Sequence, residues 1–450
     1  MARRPPRLGA TLLAFGIIFA LAYVFFLRTP PPIPTPDVAS IQGTYLFVSD
    51  RATPVPGVTP RPASTLSGTF AALASGDARG TLRPGPSPQA NDPPKLRSSY
   101  DANLRAELTT QILAAGTRTT RTLDAWPPVW RVGAISPLDY QGLAAVVRAA
   151  VEDNDHSVGI KPLKEGDRKV WRAAMELDGS TIELVVDQRT GIVVWYSETR
   201  GSRTDTFSAT PAWGAVPWRD QIGGPGAAPG TAAPRDVVKT LRDTTYAYAP
   251  SLGAAGLTAG YTPLASDLAP DGFALKAVAT ADSKGAPGAW LVNGPSGPPR
   301  DSFAGQLQVA QLYTRGLSWF TVQQLGPKAA GKSVAYLRDT LRSIAADKSS
   351  FETTTLQYGA FAGTTASTWY ERSGPTLFVS DARHVVYVTG ALTRQELISF
   401  AEGLKLSSQS SSGSNSSFST PHSGQTQSSG RSSQAVPGST PLSGSPISGS

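Results

Sequence analysis

The sequence predicts an α+β protein of two domains, each a curved antiparallel sheet with helices on one face, behind one N-terminal transmembrane helix. Three observations predict it. An uncharged apolar run extends from Leu8 to Leu27. An Asp178-Gly179 turn separates two alternating segments. Complete helix-start signals stand at Ser136 and Thr393.

The run from Leu8 to Leu27 has 20 residues. At about 1.5 Å of rise each they match a hydrocarbon core of roughly 30 Å. Arg3, Arg4 and Arg7 precede it and Arg28 follows, which orients the N-terminus to the cytoplasm. Ala20-Leu21-Ala22 fits a signal-peptide cleavage site, but the apolar run continues through Val24, Phe25, Phe26 and Leu27. An uncleaved single-pass anchor is the expectation, with secretion after cleavage near Ala22 as the alternative. Either way, residues from 29 onward are expected outside the cytoplasm.

Further boundaries follow from composition. Residues 1–28 are the cytoplasmic tip and anchor, and 29–36 (TPPPIPTP) form a stiff, Pro-rich spacer. The first α+β domain covers 37–209, with a Pro/Gly-rich loop over 51–95. A linker over 210–234 leads to the second α+β domain at 235–405. The Ser/Gly-rich tail, 406–450, lacks the apolar content to fold. With 450 residues and 40% hydrophobic content, two cores of ordinary size can form. The absence of Cys excludes disulfides, thiolate metal sites and a lipid-bearing Cys. The net charge of +8 comes without any run of five basic residues. It suits anionic envelope surfaces and gives no reason to expect nucleic acid.

Within the first domain, Ser136 is a fit N-cap, Pro137 suits the first turn and Asp139 favours the helix dipole. Leu143, Val146, Val147 and Ala150 then give an apolar stripe over a helix to about Val151. Asp178-Gly179 is a strong two-residue hairpin signal. Pairing outward sets Met175 opposite Ile182, Ala173 opposite Leu184 and Trp171 opposite Val186, all on one face. Arg172, Glu176, Thr181 and Glu183 fall on the other. Asp187 to Gly191 turns into a third strand at Ile192–Tyr196, and Leu104–Leu113 and Thr117–Leu123 read as further strands. The second domain opens with a helix over Arg235–Tyr246. Strands follow at Phe273–Thr280, Leu307–Tyr313, Leu317–Gln323, Glu352–Tyr358, Ala366–Glu371, Thr376–Val379 and His384–Val388. Thr393-Arg394-Gln395-Glu396 is a capping box for a last helix.

Chemistry-bearing motifs are sparse. Gly326-Pro-Lys-Ala-Ala-Gly331-Lys332-Ser333 satisfies the P-loop pattern, in which Lys332 would neutralise phosphate and Ser333 would hold Mg²⁺. The hairpins around it contradict the parallel βαβ unit such a loop needs. An extracytoplasmic address also removes its nucleotide supply. His156, His384 and His422 lie far apart in sequence, so neither a metal site nor a Ser–His–Asp site is expected. No cofactor is expected. The surface that remains is apolar: Trp171, Ala173, Met175, Ile182, Leu184 and Val186 are the ligand-cavity candidates, on a sheet whose helix could leave space for an apolar ligand. The competing reading is an ordinary core.

Two stretches carry a family resemblance. Lys169 to Gly191 (KVWRAAMELDGSTIELVVDQRTG) resembles the last strands of the lipoprotein-carrier, LolA-like fold, with its Asp-x-x-Thr-Gly turn. Leu312–Gln323 (LYTRGLSWFTVQ) and Val386–Leu397 (VYVTGALTRQEL) resemble the C-terminal domain of the MucB/RseB sigma-factor regulators. The resemblance implies an extracytoplasmic sensor or carrier. A lipid or acyl chain would occupy the first domain, and a protein partner such as an anti-sigma factor would meet the second. The Pro-rich stretch from Val38 to Lys95 departs from the compact opening strands of that fold. The expectation is therefore a non-enzymatic, membrane-anchored binding or sensing protein. An envelope assembly or scaffold protein is the alternative, and a hydrolase or P-loop nucleotide binder is disfavoured.

Overall fold

Asp178 and Gly179 both adopt positive φ, 52° and 71°, as a two-residue turn matched to strand twist requires. The hairpin they close has the register read from sequence, Trp171↔Val186, Ala173↔Leu184 and Met175↔Ile182. This is a computed structural model. It describes residues 32–51, 64–86, 94–102, 105–113, 116–123, 136–212, 237–242, 246–270, 272–282, 307–326, 350–381 and 383–407. Those residues belong to one compact unit that ends at Ser407. The expected anchor (Leu8–Leu27), most of the linker and the Ser/Gly-rich tail lie outside them. No described helix is long and apolar enough to cross a membrane.

The first sheet contains twelve strands. They are β1 (Ser40–Arg51), β2 (Ser64–Leu73), β3 (Ala78–Pro84), β4 (Leu96–Asp101), β5 (Ala106–Leu113), β6 (Gly116–Leu123), β7 (Gly159–Glu165), β8 (Arg168–Leu177), β9 (Ser180–Asp187), β10 (Val193–Arg200), β11 (Arg203–Ala212) and β12 (Val237–Arg242). Their order is β12-β6-β5-β4-β3-β2-β1-β11-β10-β9-β8-β7, antiparallel except for the β12–β6 pair, and the two end strands do not close into a barrel. Two expectations need correction. The stretch 51–95, expected as a loop, supplies β2 and β3. The helix expected over Arg235–Tyr246 is instead β12, whose Val237, Val238 and Thr240 are β-branched and complete the open edge of β6.

Glycine admits a close crossing in this sheet. Tyr45 lies across Gly68 and donates to the Thr81 carbonyl at 2.9 Å, two strands away. A Cβ at Gly68 would strike both that carbonyl and the Tyr45 hydroxyl. Aromatic rings seated over strand glycines cover backbone that would otherwise be bare.

The 3-10 turn Pro137–Tyr140 and helix α1 (Gln141–Glu152) follow β6. Ser136 and Asp139 form the complete capping box, with the Ser136 N–H donating to Asp139 at 2.8 Å. Leu143, Val146, Val147 and Ala150 of α1 are buried against Ile41, Tyr45, Phe70, Trp171, Ile182 and Leu184.

The second sheet has eight strands in the order β13-β15-β16-β17-β21-β20-β19-β18. They are β13 (Tyr246–Ala249), β15 (Ala274–Asp282), β16 (Leu307–Arg315), β17 (Ser318–Leu325), β18 (Glu352–Thr355), β19 (Thr365–Glu371), β20 (Gly374–Ser380) and β21 (Val385–Gly390). A small third sheet pairs β14 (Leu264–Ser266) with β22 (Leu404–Leu406). Helix α2 (Leu252–Ala259) seats Ala255 on Val278 and Val309, and α3 (Arg394–Glu402) seats Phe400 on Phe320 at 5.2 Å between ring centroids. The register places Val278, Val309 and Phe320 on one face, so both helices cover that face. Thr393 and Glu396 form the predicted capping box of α3.

Candidate functional site

Six side chains marked by the sequence as a ligand cavity, Trp171, Ala173, Met175, Ile182, Leu184 and Val186, are between 0% and 6% exposed. They belong to the core shared with α1. The space expected for an apolar ligand is occupied by that helix. Trp171 Nε1 is buried there without a hydrogen-bond partner.

The cavity opens on the sheet's other face, nearer β5. It has a volume of about 740 Å³ and is lined by β1 to β5. Register decides which side chains face it. Gln42 and Thr44 of β1 stand beside Ala71 and Thr69 of β2. Arg79 and Thr81 of β3 continue the row, then Ser99 and Arg97 of β4, then Leu108 and Thr110 of β5. Eight of these ten side chains are polar, and all ten line the cavity. The hydroxyls of Thr69 and Thr81 pair at 2.8 Å, and those of Thr110 and Thr119 at 3.1 Å. Burial pulls the Arg79 guanidinium below its ordinary value. This site escaped sequence reasoning because its strands are rich in Thr, Ser and Gly, which mimic loop composition. The usable signal was the alternation in Thr65-Leu66-Ser67-Gly68-Thr69-Phe70.

A second constellation joins the two sheets. Arg372 donates to Glu198, with one nitrogen–oxygen distance of 2.7 Å, and Tyr196 donates to the same carboxylate at 2.5 Å. The Arg372 hydrogen bond holds Glu198 well below the usual carboxylate range, at about 2. Arg148, nine-tenths buried on α1, donates to the Ala391 carbonyl at 3.2 Å and to Glu396 at 2.6 Å. Asp153 accepts from Tyr370 at 3.1 Å and faces Arg394 at 3.6 Å. Burial raises the Asp153 pKa despite that arginine. Gly142 belongs here for a steric reason: a Cβ would strike the carbonyls of Arg372 and Ser373.

The Pro-rich segment read as a spacer is built into this joint. Ile33 is buried in the first core, Thr35 accepts from Arg148, and the Pro36 carbonyl accepts from Ser318. Gly191 sits at φ 69° with the Pro34 carbonyl where a side chain would be. The Asp-x-x-Thr-Gly turn is thereby explained. Asp187 accepts from the N–H groups of Arg189 and Thr190, and Gly191 admits the segment.

The remaining motifs have local structural partners. Gly326 ends β17 against the Tyr261 ring, while Gly331, Lys332 and Ser333 lie outside the described residues. Asp381 caps its own turn through the N–H groups of Arg383 and His384, both at 2.6 Å. The His384 ring lies 3.3 Å from the Thr262 carbonyl. His156 is exposed, and His422 lies outside the described residues. Among the described residues no cluster of three or more His, Asp or Glu gathers to hold a metal.

No protein-family profile matches the chain, and no curated protein matches it. Solved structures give distant likenesses. The chain is similar to MucB in complex with MucA(peri), at 14% identity over 82% of this chain and 93% of that one, with a TM-score of 0.23. It is similar to the MucA/MucB complex of Pseudomonas aeruginosa, at 14% identity, 82% and 93% coverage and a TM-score of 0.24. A putative outer membrane lipoprotein-sorting protein domain from Vibrio parahaemolyticus is 9% identical over 41% of this chain and 87% of its own, with a TM-score of 0.17. These are distant likenesses of fold only.

Proposed function

We propose that the protein is a non-catalytic binding protein held at the membrane by Leu8–Leu27, with its sheets on the extracytoplasmic side. Its ligand occupies the cavity on β1 to β5, and a protein partner, such as an anti-sigma factor, engages the chain through the second sheet. The observation that carries this reading is the open cavity of about 740 Å³, of a size that holds a small ligand or a segment of a larger one. The charge-paired joint suits a sensor, because it links the ligand-bearing sheet to the second sheet through Glu198 and Arg372. The sequence resemblance to sigma-factor regulators points to the same partner class. Native mass spectrometry of the full chain, extracted from membranes in mild detergent, tests the reading. Co-purifying ligand mass is expected; a homogeneous ligand-free protein that takes up nothing from envelope extract counts against it.

A further inference from the structure

We propose that the cavity on β1 to β5 recognises a hydrophilic polyanion, a linear polymer bearing phosphates or carboxylates, through Arg79 and Arg97. The inference rests on the reading of that cavity as the binding site, and it names the ligand's chemistry.

Charge on this face is mostly positive. From β1 to β6 the register gives the cavity face Arg79, Arg83, Arg97 and Arg121 against two carboxylates, Asp50 and Asp101. Arg97 is exposed, lines the cavity, and makes no ion pair or hydrogen bond among the described residues. Arg121 stands beside Leu108 and keeps Nε buried without a hydrogen-bond partner. Arg79 and Arg97 are diagonal neighbours on adjacent strands, which places such positions about 7–8 Å apart. Arg97, the unpaired one of the two, presents a guanidinium fork to an anionic group, and Arg79 sets a second positive charge beside it. Threonine and serine hydroxyls between them suit a hydroxylated or phosphorylated backbone, not an acyl chain. Shape agrees, because the cavity spans five adjacent strands, β1 to β5, a length suited to an extended polymer.

The test is calorimetry on the full chain in neutral detergent, titrated with polyphosphate, polygalacturonate, neutral dextran and phosphatidylglycerol bicelles. Polyphosphate or polygalacturonate should bind, and the stronger of the two identifies the anion. Arg97→Glu should weaken binding about tenfold or more, since charge-assisted bonds of this kind carry that much affinity. Lys164→Glu, on the far edge strand β7, makes the same change in net charge and should leave the affinity unaltered. Equal weakening by both variants would overturn the site in favour of bulk attraction. Dextran binding as well as the polyanions, with Arg97→Glu silent, would overturn the anionic inference while keeping a ligand-binding cavity. Binding to bicelles alone would replace the polymer with a lipid surface. No binding to any probe would sink this inference, and the ligand reading with it if envelope extract also leaves the protein's mass unchanged.

Discussion

Glu198 shows how one residue ties chemistry to architecture. Its carboxylate accepts from Arg372 and Tyr196, and the arginine bond lowers its pKa to about 2, from an unfolded value near 4.5. A depressed carboxylate stabilises the fold above the unfolded pKa, and that contribution is lost as pH falls from about 4.5 toward 2. Chemical denaturation across that window should show the fall, and Glu198→Gln should flatten it. At neutral pH, Arg372→Ala should cost about 1–3 kcal/mol, because Glu198 is left partly buried with Tyr196, Ser180 and the more distant Arg200 in place of its strongest donor. Trp171 allows a cleaner contrast. Its Nε1 makes no hydrogen bond, so Trp171→Phe should cost under about 1.5 kcal/mol, whereas Trp171→Ala opens the core and should cost about 3–5 kcal/mol. Thermal melts of the two variants check this. These residues were partly legible: the burial of Trp171 follows from alternation, but the Arg372–Glu198 pair joins positions 174 residues apart and leaves no local trace.

At the scale of elements, local signals succeeded where they were complete. The Asp178-Gly179 turn and its alternation specified one register because slipping by one residue would turn the apolar face outward. Gly179→Val should cost about 1–2 kcal/mol, since a side chain at φ 71° is strained, and should slow hairpin formation in refolding traces. The capping box at Thr393 formed as read, and Ser136, read as an N-cap, forms a further box with Asp139; Thr393→Ala should cost about 1 kcal/mol in a urea melt. Failures have physical causes too. β2 and β3 put Thr, Ser and Arg on one face and Gly68 and Gly80 on the other, so their composition resembles a loop. The β12 segment is long enough for a helix, yet the open edge of β6 offered it a strand partner. α2 is mostly Ala and Gly with little amphipathic contrast, although Ser251 and Gly260 bracket it as cap and terminator.

For the whole molecule, the antiparallel sheets expected of an α+β protein are present, but the described residues are mostly β with few helices, and the cavity emerged on the opposite face from the one the apolar pattern suggested. A hydrophobic stripe marks what folding must bury, and α1 buries it here. A binding surface made of hydroxyls and arginines arises only when five strands lie in register, and no short sequence window contains that alignment. The proposed anchor makes its own prediction: the full chain should stay in the membrane pellet after carbonate washing, and a chain lacking residues 1–28 should not. Protease added to intact spheroplasts should digest the sheets in the full-length case. The central claim is that ligand sits on β1 to β5. Ser99 lies between Arg79 and Leu108 on the cavity face, so Ser99→Trp fills the trough without entering the core. Native mass spectrometry of this variant beside the wild type is the most direct test. The account predicts ligand mass on the wild type and its loss from a folded Ser99→Trp protein; the same ligand retained at equal occupancy by the filled variant would contradict it.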